Sequence, residues 1–154
     1  MTGDLLAWRR APEIDEMAVQ LVCWQGWNSG PVSGLARWHG DVYWFDYLAR
    51  WDRSDAEWGY YLGLYQLSER ELHETVDWFR EKERWSADPD VQELRMIPDA
   101  GTRALLLRER GLGLREWRPR LRQQPVAWFR QEKNPDFHGF RTKDRWRLPE
   151  DWPA

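Results

Sequence analysis

The sequence predicts an α+β domain. It expects an antiparallel sheet of about four or more strands, a helix over residues 68–85 on one face, and an irregular Arg/Pro/Trp-rich C-terminal segment wrapping the body. Three observations point there. Strand-forming runs separated by turn residues occupy positions 17–67, Ser68 and Glu71 stand at capping-box spacing ahead of a helix-forming run, and prolines at 119, 125, 135, 149 and 153 break up the remainder.

Met17 to Gln25 alternates, with Met17, Val19, Leu21 and Cys23 on one face and Ala18, Gln20, Val22 and Trp24 on the other, which is the pattern of a half-buried strand. Gly26 to Gly34 is rich in Gly, Asn, Ser and Pro and reads as a loop. Leu35–Trp38 and Val42–Leu48 flank a two-residue turn. We take Gly40-Asp41 as that turn, which sets Trp38 opposite Tyr43 and Ala36 opposite Phe45; His39-Gly40 would instead pair Arg37 with Val42 and Leu35 with Trp44. Tyr43, Phe45 and Tyr47 then share one face, and Val42, Trp44, Asp46 and Leu48 the other. Both faces are largely apolar, so each needs a cover: the helix for one, the C-terminal segment or a partner for the other.

Trp51 to Trp58 reads as a polar connection, and Gly59 to Leu67 as a further strand whose glycines mark a bulge or a close backbone approach. In the helix, Leu72, Val76 and Phe79 make the buried stripe. Ser86 to Asp90 breaks the chain, Val91 to Ile97 fits a strand or a short helix, and Thr102 to Arg110 is expected to be a short helix stopped by Gly111. Beyond it an extended wrap anchored by Trp117, Trp128, Trp146 and Trp152 is expected, with 142–154 as an extended tail of a single domain, 1–154. VDWFREK at 76–82 and VAWFRQEK at 126–133 echo one another, but their flanks do not align, so no repeat architecture follows.

Thirteen tryptophans are too many to sit unsatisfied in one small core, since each indole carries an N–H donor. Most are expected to be structural and some half-buried, with Trp surplus also favouring binding surfaces. The net charge of −3 conceals an asymmetry: residues 1–99 carry 10 basic against 19 acidic side chains, leaving −9, and residues 100–154 carry 13 against 7, leaving +6. The basic segment is thus a candidate nucleic-acid footprint or a clamp on the acidic part of its own chain. No apolar run is long enough for a membrane helix and no secretory signal is visible, so a cytoplasmic protein is expected. The single Cys23 reads as core packing, and His39, His73 and His138 are too scattered for a metal, so no cofactor is expected.

No catalytic residue is assigned. Ser29 and Ser33 lack a strand-to-helix elbow, and His39, Asp41 and Asp46 need no catalytic explanation. The expectation is a non-catalytic, bacterial-type protein-binding module, analogous to an immunity protein or inhibitor. Trp27, Trp38, Trp44 and Trp58 are its candidate anchors, Asn28, His39 and Asp41 its polar contacts, and the acidic stretch 52–57 steers a basic partner. The alternative is a nucleic-acid binder using Arg115, Arg118, Arg120 and Arg122 with Trp117 for base stacking. A second alternative is a carbohydrate-binding or carbohydrate-processing domain in which indoles stack on sugar rings and Asp41 or Asp46 contacts hydroxyls.

Overall fold

The computed structural model describes residues 5–27 and 30–133. Strands β1 (Gln20–Trp27), β2 (Gly30–Trp38), β3 (Asp41–Asp52), β4 (Trp58–Tyr65) and β5 (Ala127–Lys133) form one antiparallel sheet in that spatial order. Helices α1 (Glu69–Ala87), α2 (Pro89–Arg95) and α3 (Ala100–Glu109) intervene between β4 and β5. The α+β layout and the α1 stripe are as the sequence predicts, the irregular segment is seen over residues 112–126, and α1 runs two residues past the expected end. Its capping box is formed by Ser68 and Glu71. Val91 to Ile97, left open between strand and helix, is largely α2, and α3 ends ahead of Gly111, whose φ of 69° suits a glycine.

The β2–β3 turn differs from the expected one. His39 and Gly40, with φ of 51° and 78°, are the turn residues, and the register is Trp38↔Asp41, Arg37↔Val42, Ala36↔Tyr43 and Leu35↔Trp44. Positive φ at both central positions matches the right-handed strand twist, and histidine is among the residues that tolerate it. Both candidate registers keep the same residues on each face, so the apolar pattern did not discriminate between them; turn geometry did.

β1 also departs from simple alternation. Residues Glu16–Ala18 form a 3-10 turn capped by Asp15, and an irregularity between Leu21 and Cys23 interrupts the strand. As a result Val22 and Cys23 both pack in the helix-side core, while Val19, Leu21 and Trp24 belong to the opposite core. A bulge resets the period-two pattern, which is why Leu21 and Cys23 do not share a face.

On the helix side, Leu35 and Trp44 pack with Val76, Trp78 and Phe79 of α1, and Leu114, Trp117 and Leu121 of the 112–126 segment join them. Residues 114–121 of the C-terminal segment therefore share a face with the helix, whereas Val126 packs on the second face. That second face, with Phe45, Leu62, Leu64 and Phe129 almost fully buried, is covered in part by Ile14 and Val19. Residues 12–14 run beside β5, where the Ile14 amide donates to the Trp128 carbonyl (2.8 Å) and the Trp128 amide donates to Pro12 (3.1 Å). The chain then crosses to β1, so that Val19 and Leu21 line a cleft of about 220 Å³ with Phe129 and Gln131. β5 itself was not expected as a strand. Its alternation, with Ala127, Phe129 and Gln131 buried, becomes legible once β4 supplies a partner.

Candidate functional site

Ten tryptophan side chains are described; five are buried and five half-buried. Three of their N–H groups decide where the arginine-rich segment lies. Trp85 Nε1 donates to the Leu112 carbonyl (2.6 Å), Trp78 Nε1 to the Arg115 carbonyl (2.7 Å) and Trp117 Nε1 to Thr75 Oγ1 (3.0 Å). The spacing is complementary: seven helical residues rise roughly 10.5 Å, and three extended residues span roughly 10 Å. Two α1 indoles one heptad apart therefore pin the segment antiparallel to the helix. Ion pairs add to this, with Arg115 Nε 3.3 Å from Glu81 and Arg118 donating to Asp46.

Asp46 is the buried end of that last pair. Its side chain is 7% exposed, and its carboxylate accepts from Trp44 Nε1 (3.1 Å), the Tyr47 amide (2.9 Å) and Arg118 (2.5 Å). Tyr65 lies in the same environment. Burial pushes its hydroxyl pKa above the usual value, Asp46 pushes it further, and Arg118 opposes.

The pinned segment separates two clefts. One, of about 710 Å³, has Trp44, Trp78 and Lys82 among its lining residues, and Arg95, Arg108, Arg115 and Arg118 also reach it. Five basic side chains thus converge there with one acidic one, Glu116. Lys82 is buried, with Nζ 3.3 Å from Gln25 Oε1 and 4.9 Å from the Trp78 ring. The other cleft, of about 720 Å³, lies between the start of α1 and residues 117–124 and is lined by Arg70, Arg118, Arg120 and Arg122. The indole N–H groups of Trp44, Trp78, Trp85 and Trp117 are engaged within the fold, so the first cleft presents ring surfaces and cationic donors.

The residues singled out from sequence are scattered over this architecture. Trp38, His39 and Asp41 sit together at the β2–β3 tip, where the Trp38 ring lies 4.5 Å from His39 and 5.7 Å from Tyr43. Trp58 opens β4 opposite Asp52, half-buried beneath Arg50 at 4.3 Å. Along β3, the eleven steps from Asp41 to Asp52 span roughly 35 Å at a strand's rise per residue, so the Trp38 and Trp58 groups occupy different ends. Trp44 is buried at 1% exposure. Trp27 ends β1, and Asn28, like Ser29, His138, Trp146, Trp152 and the tail 142–154, lies outside the described residues.

Arg115, Trp117, Arg118, Arg120 and Arg122 do come together along the pinned segment. Trp117 is half-buried and packs in the core, with Arg115 over its ring at 5.9 Å. Lys82, Arg95 and Arg108 were missed as site residues. Their sequence signal was only the charge they carry, because helix packing is what brings them to the segment. The acidic stretch 52–57 is partly neutralised by Arg50 on Asp52 (2.9 Å) and Arg53 near Glu57 (3.8 Å).

Among the described residues no helix is long and apolar enough to cross a membrane, and no cluster of three or more His, Cys, Asp or Glu residues is suited to a metal. No protein-family model, curated protein or solved structure matches this chain.

Proposed function

We propose that this chain is a non-catalytic protein-binding module, immunity-protein-like or inhibitor-like in kind, whose partner presents an acidic element to the clefts flanking residues 113–124. The observation that carries the reading is the convergence of basic side chains on one aromatic-lined cleft of about 710 Å³. Arginine forks on an apolar floor match the usual make-up of a binding hot spot: charged groups that fix orientation around rings that exclude water. This reading also moves the electrostatic focus. The partner is drawn by the basic segment, with the acidic hairpin end left largely to its own arginines.

The test is capture of a partner from lysate of the source cells, with and without nuclease, on immobilised protein, comparing the natural chain with the double variant Arg108→Glu, Arg120→Glu. Both positions are exposed, so folding is expected to survive. A stoichiometric, nuclease-resistant protein lost with the variant supports the reading. Recovery that disappears with nuclease instead supports nucleic-acid binding through Arg115, Arg118, Arg120 and Arg122.

A further inference from the structure

We propose that Arg118, Arg120 and Arg122 form a comb for an extended segment of a protein partner, one whose carboxylates fall at alternate residues. This rests on the binding-module reading and specifies the element that binds. Along the segment Pro119 is buried and Leu121 is half-buried in the helix-side core, whereas Arg118, Arg120 and Arg122 are exposed. Burial thus alternates as in an extended chain, and all three arginines line the cleft of about 720 Å³. Successive teeth stand roughly 6.6 Å apart, which is also the spacing of same-face side chains on a partner strand.

The teeth are available. Arg120 and Arg122 have no ion-pair partner among the described residues, and Arg118, although it reaches Asp46, keeps a side chain 66% exposed. A guanidinium has five N–H donors, so Arg118 retains capacity for an incoming carboxylate. The start of α1 gives the same cleft a different chemistry. Arg70 pairs with Glu74 at 3.0 Å, and Glu71 closes the capping box, leaving one acidic side chain in excess on that side. A β-strand can meet both sides, because it segregates acidic residues on one face and neutral or basic residues on the other. A phosphodiester chain carries charge at every unit and sets phosphates near Glu71 and Glu74. It also finds no free indole N–H at Trp117, whose ring is packed in the core. These contrasts favour a protein strand over nucleic acid.

The experiment measures fluorescence anisotropy of the full chain with three labelled probes: a peptide of alternating glutamate and threonine, its block isomer of the same composition, and an oligothymidylate of equal charge. The alternating peptide is expected to bind about tenfold or more tightly than the block isomer. The double variant Arg120→Gln, Arg122→Gln is expected to lose that preference while keeping the natural unfolding midpoint. Equal affinity for the two peptides, no binding of either, or a preference that survives the double substitution overturns the comb. Tighter binding of the oligothymidylate overturns it in favour of nucleic acid. The two proposals fail separately. A captured protein partner that the double variant retains leaves the module and removes the comb, whereas absence of any partner for the natural chain removes the module itself.

Discussion

Replacing Asp46 by alanine is expected to cost far more stability than replacing the arginine it pairs with, and the size of the difference follows from who is buried. Asp46 accepts three hydrogen bonds from a nearly closed position, and one donor is the indole of Trp44, itself 1% exposed. Removing the carboxylate orphans that buried N–H, at about 1–3 kcal/mol, and loses the Tyr47 contact, at about 1 kcal/mol. The ion-pair contribution is small, about 1 kcal/mol at most, because Arg118 is largely solvated and screened. Asp46→Ala is therefore expected to destabilise by about 2–5 kcal/mol, and Arg118→Ala by about 1 kcal/mol or less. Urea unfolding followed by tryptophan fluorescence measures both, provided the slopes match the natural chain. If the two variants cost the same, the charge pair rather than the indole bond holds Asp46, and the argument from burial is wrong.

Three further expectations follow from the same geometry. Tyr65 has a raised pKa, so its contribution to stability is complete below the unfolded value near 10 and is lost as pH rises through the folded value; Asp46→Asn should lower that folded pKa and Arg118→Gln raise it, read from tyrosine absorbance or ring-carbon shifts during alkaline titration. A Cβ at Gly59 would stand 1.9 Å from the Gln131 carbonyl oxygen and 2.8 Å from the Trp51 ring, so Gly59→Ala is expected to cost about 3 kcal/mol or more by thermal or urea unfolding. At Gly40, where nothing lies within 4 Å and only the positive φ matters, the same substitution should cost only about 1–2 kcal/mol; equal costs would show that crowding at β5 is not what requires the glycine. Trp85→Phe removes the donor to Leu112 but keeps an aromatic ring, and is expected to cost about 1 kcal/mol globally while speeding proteolysis or amide exchange around residues 110–114; unchanged local protection would count against pinning by the indole.

Features that depend on neighbours along the chain are legible before folding is considered. Ser68 and Glu71 announce α1, the period-two pattern of β3 assigns Trp44 and Phe45 to opposite faces, and Gly111 marks the end of α3. What the sequence left open required contacts between distant positions. Two hairpin registers satisfy the same facial pattern, and only the backbone geometry at His39 and Gly40 separates them. VDWFREK lies in α1 and VAWFRQEK runs into β5, because Ser68 caps the first into a helix over the sheet while an open β4 edge pairs the backbone of the second. The arginines from 115 to 122 read equally as a nucleic-acid footprint or an internal clamp until Trp78 and Trp85 fix the segment's path. Once it is fixed, Arg115 meets Glu81 and Arg118 meets Asp46, while Arg120 and Arg122 stay outside. Charge is a property of composition, but which charges are neutralised is a property of packing: pair energies depend on separation and burial, and neither exists until the chain has folded.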